Sequence, residues 1–225
     1  MNQIPDEGMV ILINKPYRWT SFDVVRKLKR LLNVKKVGHA GTLDPLATGL
    51  LVVCTGRKTK TIDQIQAAEK EYTGTFYIGA STPSFDLETA VDHQFDISAI
   101  THEMVSQATL KFIGTIDQVP PMHSAVKVDG KRAYTLARSG DTTTALKAKQ
   151  ITIKEFELTR IALPEVDFRI VCSKGTYIRS IARDLGLELG VGGHLTALVR
   201  TRIGEYKLTD AQDIELMEPI PRTTE

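Results

Sequence analysis

Along this chain the apolar positions recur with two different periods, and each change of period marks an element. The run MVILI (9–13) is continuous and rich in branched residues; it predicts a buried strand ending at the corner Asn14, Lys15, Pro16. Thr20 with Asp23 three positions on has the form of a capping box, opening a helix through about Leu32. Its apolar residues Val24, Val25, Leu28, Leu31 and Leu32 share one face, so Arg26, Lys27, Lys29 and Arg30 point elsewhere. LLVVC (50–54) is short and β-branched enough for an interior strand, and 59–69 has helical spacing. KEYTGTFYIG (70–79) alternates as a strand, with Tyr72, Gly74, Phe76 and Ile78 on one side. Residues 81–97 are polar and irregular, 98–112 are helical in spacing, VPPMHS (119–124) is a proline-set turn, and 131–139 predict a short helix. ITIKEFELTRIAL (151–163) and VDFRIVCS (166–173) are strand-like, an amphipathic helix covers 176–189, and two strand-like pieces surround Gly204. Strands adjoining in sequence with helices between them predict an α+β (mixed α/β) plan in a single domain, since no repeat, low-complexity tract or linker interrupts it.

Composition narrows the class. A chain of 225 residues with 42% hydrophobic and 25% charged content can bury a core without staples. Its two cysteines, Cys54 and Cys172, have no CxxC partner, which points to a reduced, cytoplasmic protein with no zinc or redox motif. MVILI follows acids rather than a basic region, and no window approaches 18 apolar residues, so neither export nor membrane insertion is expected. The net charge is only +2, but its distribution is uneven. Six cations and no acid occur between Arg26 and Lys36, and further basic groups recur at Arg57, Lys58 and Lys60, at Lys127, Lys131, Arg132 and Arg138, and at Arg200, Arg202 and Lys207. The acids gather at 86–103 and after Asp210, and this separation favours a polyanionic partner over a merely solvated face.

The candidate chemistry lies in GHAGTLDPLATG (38–49), where one carboxylate, Asp44, precedes a proline among three glycines. The glycines let backbone approach a ligand closely, and Pro45 holds Asp44 out of the helical region, which fixes the direction of its carboxylate. The plainer reading is an Asp-Pro turn that caps its own backbone. A phosphate loop is a weak alternative, because the pattern is neither GxxxxGK[ST] nor GxGxxG. A carboxylate that stays ionised in an enclosed pocket needs a cation, and Arg179 in CSKGTYIRS is a candidate. His39 adds a polar group to the loop, and Tyr72 and Tyr177 offer faces on which a base could stack, although core packing is the ordinary role of such tyrosines.

GHAGTLDPLATGLLVVCTGRKTK closely resembles the catalytic motif of the TruB family of tRNA pseudouridine synthases, which act on the T-loop uridine. GMVILINKP, KEYTG, PPMHSAVKVDGKRAYTLAR, VCSKGTYIRSIARDLG and GGHLTALVRTRIG continue the resemblance in order over essentially the whole chain. It implies the pseudouridine synthase fold, a central and mostly antiparallel sheet flanked by helices, and an isomerase without cofactor or metal. It further implies that the uracil at position 55 of tRNA is flipped out, cut from its ribose, turned and rejoined through carbon 5. Asp44 would be the essential residue, Tyr72 would stack on the base and help remove the last proton, and Arg179 would pair with Asp44. Tyr177 and Leu198 would line the uridine pocket, His39 would fill the space that the nucleotide vacates, and Lys15, Pro16 and Lys60 would support the site. The implied partner is tRNA through its T-arm, with no membrane, no obligate protein partner and a monomer as the default.

The chain departs from the family pattern in three places. Arg18 stands in KPYRWTSF where glycine is usual, which either alters the turn or adds a phosphate contact. In STPSFDLETA the usual pattern survives only as Thr82, Ser84 and Asp86. The expected organisation is a catalytic domain over 1–208 and a short acidic tail over 209–225 with no PUA module, so that RNA contact relies on the T-arm. Two other classes compete with this reading. A non-catalytic RNA-binding or tRNA-folding protein has no need of an aimed carboxylate, and a glycoside or nucleoside hydrolase wants a second acid. In the matched segments near Arg179 the sequence offers only Asp184, expected at a helix surface.

Overall fold

The computed structural model describes residues 7–124, 127–128, 131–133, 135 and 146–219. In chain order the elements are β1 (Val10–Lys15), α1 (Ser21–Leu31), β2 (Val37–His39), β3 (Thr48–Thr55), a 3-10 turn (Gly56–Thr61), α2 (Ile62–Ala67) and β4 (Lys70–Ile78). There follow β5 (Ala80–Ser81), β6 (His93–Gln94), α3 (His102–Leu110), β7 (Gly114–Gln118), β8 (Lys127–Val128) and β9 (Lys131–Arg132). The chain continues with β10 (Lys149–Ala162), β11 (Glu165–Cys172), α4 (Ile178–Glu188), β12 (Gly193–Ile203), β13 (Tyr206–Lys207) and β14 (Gln212–Asp213). The strands pair mostly antiparallel, as expected, with helices packed against them, and the chain clusters into two compact units: Met1–Thr73 with Leu198–Glu225, and Gly74–Ala197.

In the first unit β3 is central, antiparallel to β1 (Val10↔Cys54 through Lys15↔Gly49) and to β2 (Val37↔Thr55). Leu51 and Val53 pack with Ile11, Ile13 and, from α1, Val24 and Leu28. Leu50, Val52 and Cys54 pack with Ala40, Ile65 and Ile203. A strand covered on both faces has no polar side to show, which is why LLVVC reads as an unbroken apolar run. The capping box at α1 is present: the Thr20 hydroxyl accepts from the Asp23 N–H at 3.1 Å, and the Asp23 carboxylate accepts from the Thr20 N–H at 3.0 Å.

Two pairings of this unit are parallel, and sequence periodicity had no means of showing them. The end of β12 lies parallel to the start of β3 (Val199↔Thr48, Arg200↔Gly49), and β14 lies parallel to β1 (Ile13↔Gln212). Gln212 and Asp213 therefore add to the sheet, and Ile214 behind them is fully buried against Ile11 and Ile13.

In the second unit β7, β10 and β11 form an antiparallel meander-like set (Gln118↔Lys149, Phe156↔Ile170). Its core is aromatic: the Phe76 and Phe168 rings stack at 4.0 Å, with Phe156 edge-on at 6.2 Å from Phe76. Gly74 belongs to the same face, and only glycine fits there, because a Cβ would lie 2.2 Å from the Ala197 carbonyl oxygen and 2.8 Å from the Phe168 ring. The helix α4 buries Ile178, Ile181, Ala182 and Leu185, the stripe expected from the sequence.

The differences from the sequence reading have local causes. The helix expected over 98–112 begins at His102, because the Thr101 hydroxyl caps it by accepting from the Met104 N–H at 3.2 Å. Residues 56–61 are a 3-10 turn before α2 rather than part of one helix. Of the helix expected over 131–139, Lys131–Arg132 instead pairs with Lys127–Val128, and most of the rest, Arg138 included, lies outside the described residues. The polar segment 81–97 contributes to the small β5–β6 pair (Ala80↔Gln94), and although most of it is exposed, Thr82, Ser84 and Asp86 are buried.

Candidate functional site

Asp44 occupies the first position of a turn: Pro45 follows at the position that its fixed φ favours, and the Ala47 N–H donates to the Asp44 carbonyl at 3.1 Å. The turn is anchored from two sides. The Pro45 carbonyl accepts from the Arg18 N–H at 2.8 Å and from the Lys15 ammonium at 3.3 Å. The neighbouring Leu43 N–H donates to the buried Ser21 hydroxyl at 2.9 Å. Thus the end of β1 and the start of α1 hold the Asp44 turn.

Lys15 is fully buried on the last inward position of β1. Its three ammonium protons go to the carbonyls of Trp19 at 2.6 Å, Pro16 at 2.9 Å and Pro45 at 3.3 Å, which exhausts its donors. Burial lowers its pKa to about 8, the nearby charge of Asp44 opposes that fall, and the charge of Arg200 adds to it. Within this unit, then, Asp44 has a cation beside it that sequence reading had assigned to a supporting layer.

Arg200 is the residue that sequence reading placed wrongly. Counted as part of a basic cluster for a polyanion, it heads the largest fully buried side chains, at 1% exposure. Its guanidinium donates to the carbonyls of Leu50 at 2.8 Å, Gly41 at 3.1 Å and Thr42 at 3.3 Å, and so clasps the two ends of the glycine-rich loop. Gly49 has φ +97°, and a Cβ there would lie 2.5 Å from the Arg200 carbonyl oxygen, so this glycine serves the clasp rather than an incoming ligand. Arg202 is likewise occupied, in an ion pair with Glu69 at 2.9 Å. The signal that could have found Arg200 is the alternation of β12, whose buried pattern includes position 200.

The remaining predicted residues of this unit divide by burial. Tyr72 and Leu198 are both buried, at 8% exposure. His39 lies on β2, and its Nδ1 is buried with no hydrogen-bond partner among the described residues. Burial pushes its imidazole below the ordinary histidine range, a backbone contact to Gly41 opposes this, and the Arg200 charge adds to the lowering, so the ring is neutral at pH 7. Lys60 is exposed on the 3-10 turn.

The second unit holds Tyr177 and Arg179 at the start of α4. Gln118, the buried last residue of β7, accepts from the Tyr177 N–H at 2.8 Å and donates to its carbonyl at 3.1 Å, a two-point grip on the residue capping the helix. Arg179, 3% exposed, donates to the carbonyls of His123 at 2.8 Å and Ser84 at 3.1 Å, and its Nε lies 3.6 Å from the Asp86 carboxylate. Asp86 is held in turn by the Ser84 hydroxyl at 2.6 Å and the Glu88 N–H at 2.9 Å. Asp184, the one acid that the matched segments near Arg179 offered, pairs with Arg183 at 2.7 Å, and the buried acid that faces Arg179 is Asp86, from the irregular 81–97 segment outside them. Gln118 carried no spacing signal, and Asp86 stood out only as a surviving position of the family pattern in STPSFDLETA; tertiary packing brings each to its partner.

Within the first unit, Lys15 and Arg200 hold the Asp44 turn and the glycine-rich loop in place, and the Lys15 charge favours an ionised Asp44; among the described residues no group of three or more His, Cys, Asp or Glu could hold a metal ion. No helix among them is long and apolar enough to cross a membrane.

Comparison with known proteins adds the following. The N-terminal domain of the TruB family pseudouridylate synthases matches residues 29–178, and the tRNA pseudouridylate synthase B C-terminal domain matches residues 179–219. The chain is 55% identical over 219 residues to tRNA pseudouridine synthase B of Flavobacterium johnsoniae, covering 94% of this chain and 95% of that one. It is 54% identical to the protein of the same name from Phocaeicola vulgatus, covering 93% and 91%. Among solved structures, a chain of a Cbf5-Nop10-Gar1 complex superposes with a TM-score of 0.69 at 31% identity, over 90% of this chain but only 50% of that one.

Proposed function

The chain belongs to the TruB family of pseudouridylate synthases, and from that premise we propose a residue-level account of its reaction. It is a tRNA pseudouridine synthase, an isomerase that converts uridine-55 of the T-loop to pseudouridine. The bond from uracil N1 to ribose C1′ breaks, a bond from C5 to C1′ forms, and the C5 proton is lost while N1 gains one, so no oxidant or cofactor enters the balance. In this account Asp44 is the catalytic carboxylate at C1′. The observation that carries the assignment is its setting: a proline-fixed turn whose carbonyl is gripped by a buried ammonium that the Asp44 charge itself stabilises.

The other roles rest on the family resemblance and are consistent with burial. Tyr72 stacks on the flipped base and assists the last proton transfer, and Arg179 serves as a cation for the aspartate. Tyr177 and Leu198 line the uridine, His39 fills the space the nucleotide leaves, and Lys15 and Lys60 support the site. A neutral histidine suits that filling role, because it adds no charge where a base must leave and return. Extruding a stacked base costs a few kcal/mol, which stacking and new contacts repay. We also assign the protein to the cytoplasm, acting as a monomer through the T-arm without an obligate protein partner; the two free, buried cysteines suit a reducing compartment.

The test is a T-arm transcript incubated with enzyme and mapped for pseudouridine by carbodiimide. Wild type is expected to convert the T-loop uridine, and Asp44→Ala to lose conversion by at least about 10⁴-fold, the scale seen when an essential group of a catalytic unit is removed. Product from Asp44→Ala at an appreciable rate would overturn the assignment.

A further inference from the structure

We propose that the pocket beside helix α1, lined by Arg18, Trp19, Asp23, Arg26, Lys27 and Arg30, is a subsite for one nucleotide of the RNA flanking the uridine that reacts at Asp44. The proposal rests on the functional reading above and extends it to residues to which that reading gives no role.

The pocket has a volume of about 390 Å³. That is the low end of the range for small-ligand sites, which runs from roughly 300 to 1,000 Å³, and suits one nucleotide rather than a helix or a peptide. Its lining is four cations, one carboxylate and one indole. The carboxylate is already committed: Asp23 gives one oxygen to the Thr20 N–H and hydroxyl, at 3.0 and 2.6 Å, and the other to Arg26 at 2.7 Å. The field left for a ligand is that of Arg18, Lys27 and Arg30. Lys27 lies 5.5 Å from the centre of the Trp19 ring, and beside the pocket the Arg18 guanidinium lies 5.6 Å from the centre of the Tyr17 ring. One indole together with cations beside it combines a surface on which an unstacked base can lie, with Lys27 displaced toward the phosphate, and charge for that phosphate.

Two further observations tie the pocket to the Asp44 turn. The Arg18 N–H donates to the carbonyl of Pro45, the residue after Asp44, so the pocket wall and the catalytic turn are one hydrogen bond apart. Arg18 also has φ 66°, the left-handed conformation in which glycine is the unstrained residue. The sequence therefore puts a long cation at a place where the backbone alone would favour no side chain, and this residue lines the pocket.

Trp19 is the only tryptophan of the chain, so its fluorescence reports on this pocket without a label. The experiment titrates the full chain with a T-arm hairpin, with uridine monophosphate and with inorganic phosphate, and repeats the hairpin titration from 50 to 200 mM salt for wild type, Arg18→Gln, Arg30→Gln and the double variant. Lys147→Gln with Lys149→Gln, exposed lysines of the other unit, gives a charge-matched control. The hairpin is expected to change Trp19 emission with a midpoint that matches the KM for modification. The double variant should raise Kd and KM roughly tenfold and flatten the salt slope by about 1 per residue removed, with kcat at saturating RNA preserved and uridine monophosphate binding far more weakly than the hairpin. Unchanged emission at saturating hairpin, an unchanged slope, an equal loss in the control pair, or tight uridine monophosphate binding that the hairpin does not displace would each overturn the subsite. Arg30→Gln, on an exposed helix position, keeps the test open if Arg18→Gln fails to fold. Failure of wild type to form pseudouridine would instead overturn the functional reading, and the fluorescence and salt titrations would still decide the pocket by themselves.

Discussion

One compact unit carries two sets of cations that look alike in the sequence and behave in opposite ways. Lys15 and Arg200 are buried and donate to backbone carbonyls, Lys15 to those of Pro16, Trp19 and Pro45 and Arg200 to those of Gly41, Thr42 and Leu50 in and beside the glycine-rich loop. Arg18, Arg26 and Arg30 are exposed around a pocket, with Lys27 half-buried on Trp19. A buried cation whose donors are taken by backbone acts as a rivet: it sets geometry, and salt hardly reaches it. An exposed cation adds little to stability but attracts phosphate at long range, an attraction that salt weakens. Positive charge in this protein therefore serves construction and recognition separately, and each can be removed without the other.

The largest effect is expected at Arg200. Arg200→Ala strands three carbonyls that water does not readily reach, and should cost about 3–5 kcal/mol in a urea melt, equally at low and high salt. Arg200→Lys keeps the charge but offers one ammonium in place of a planar fork, so it should recover part of the stability and little of kcat. A salt-sensitive loss with kcat intact would put Arg200 in the recognition set and erase the distinction.

How much of this was legible beforehand follows from where each residue sits in the chain. The Asp44 turn, the α1 capping box and the two-faced strand β3 are local, and spacing alone exposed them. Arg200, Gln118 and Asp86 act on partners far away in sequence, Arg200 on Leu50 and Asp86 on Arg179, and nothing within a window of ten residues records that. The same holds for the parallel pairing of Gln212 with Ile13, which depends on two short segments meeting from opposite ends of the chain. The role of Arg200 was misread because charge clustering is blind to which side of a strand a charge faces.

Lys15 sharpens the comparison through pH. Its folded pKa of about 8 lies below the 10.5 of a free lysine, so between those values the unfolded chain holds a proton that the folded chain has released. Stability contributed by this residue therefore rises with pH across that window, the reverse of a surface lysine that has gained a partner. Lys15→Met should be less stable than wild type by about 3 kcal/mol near pH 7, since it leaves carbonyls without donors, and the gap should widen from pH 8 upward. Activity should move the other way: kcat/KM of wild type falls above about pH 8, as the ammonium beside Asp44 discharges. Melting temperatures and pH–rate profiles of the two proteins check both signs.

The smallest effect is the one that separates construction from recognition within a single residue. Arg18→Gly removes a cation from the pocket and also relieves a left-handed backbone position, φ 66°, that costs a side-chain-bearing residue about 1–2 kcal/mol. Part of that relief is lost because glycine gives the unfolded chain more freedom, worth about 0.5–1 kcal/mol. The balance is a gain of roughly 0.5 kcal/mol, or about 1–2 °C in melting temperature for a chain of this size. Affinity for the T-arm hairpin should fall in the same protein, more at low salt than at high. A buried cation cannot give that pair of signs, because its removal weakens fold and function together. If Arg18→Gly lowers the melting temperature, the guanidinium over Tyr17 contributes more to the fold than the strain costs, and Arg18 then belongs with Lys15 and Arg200.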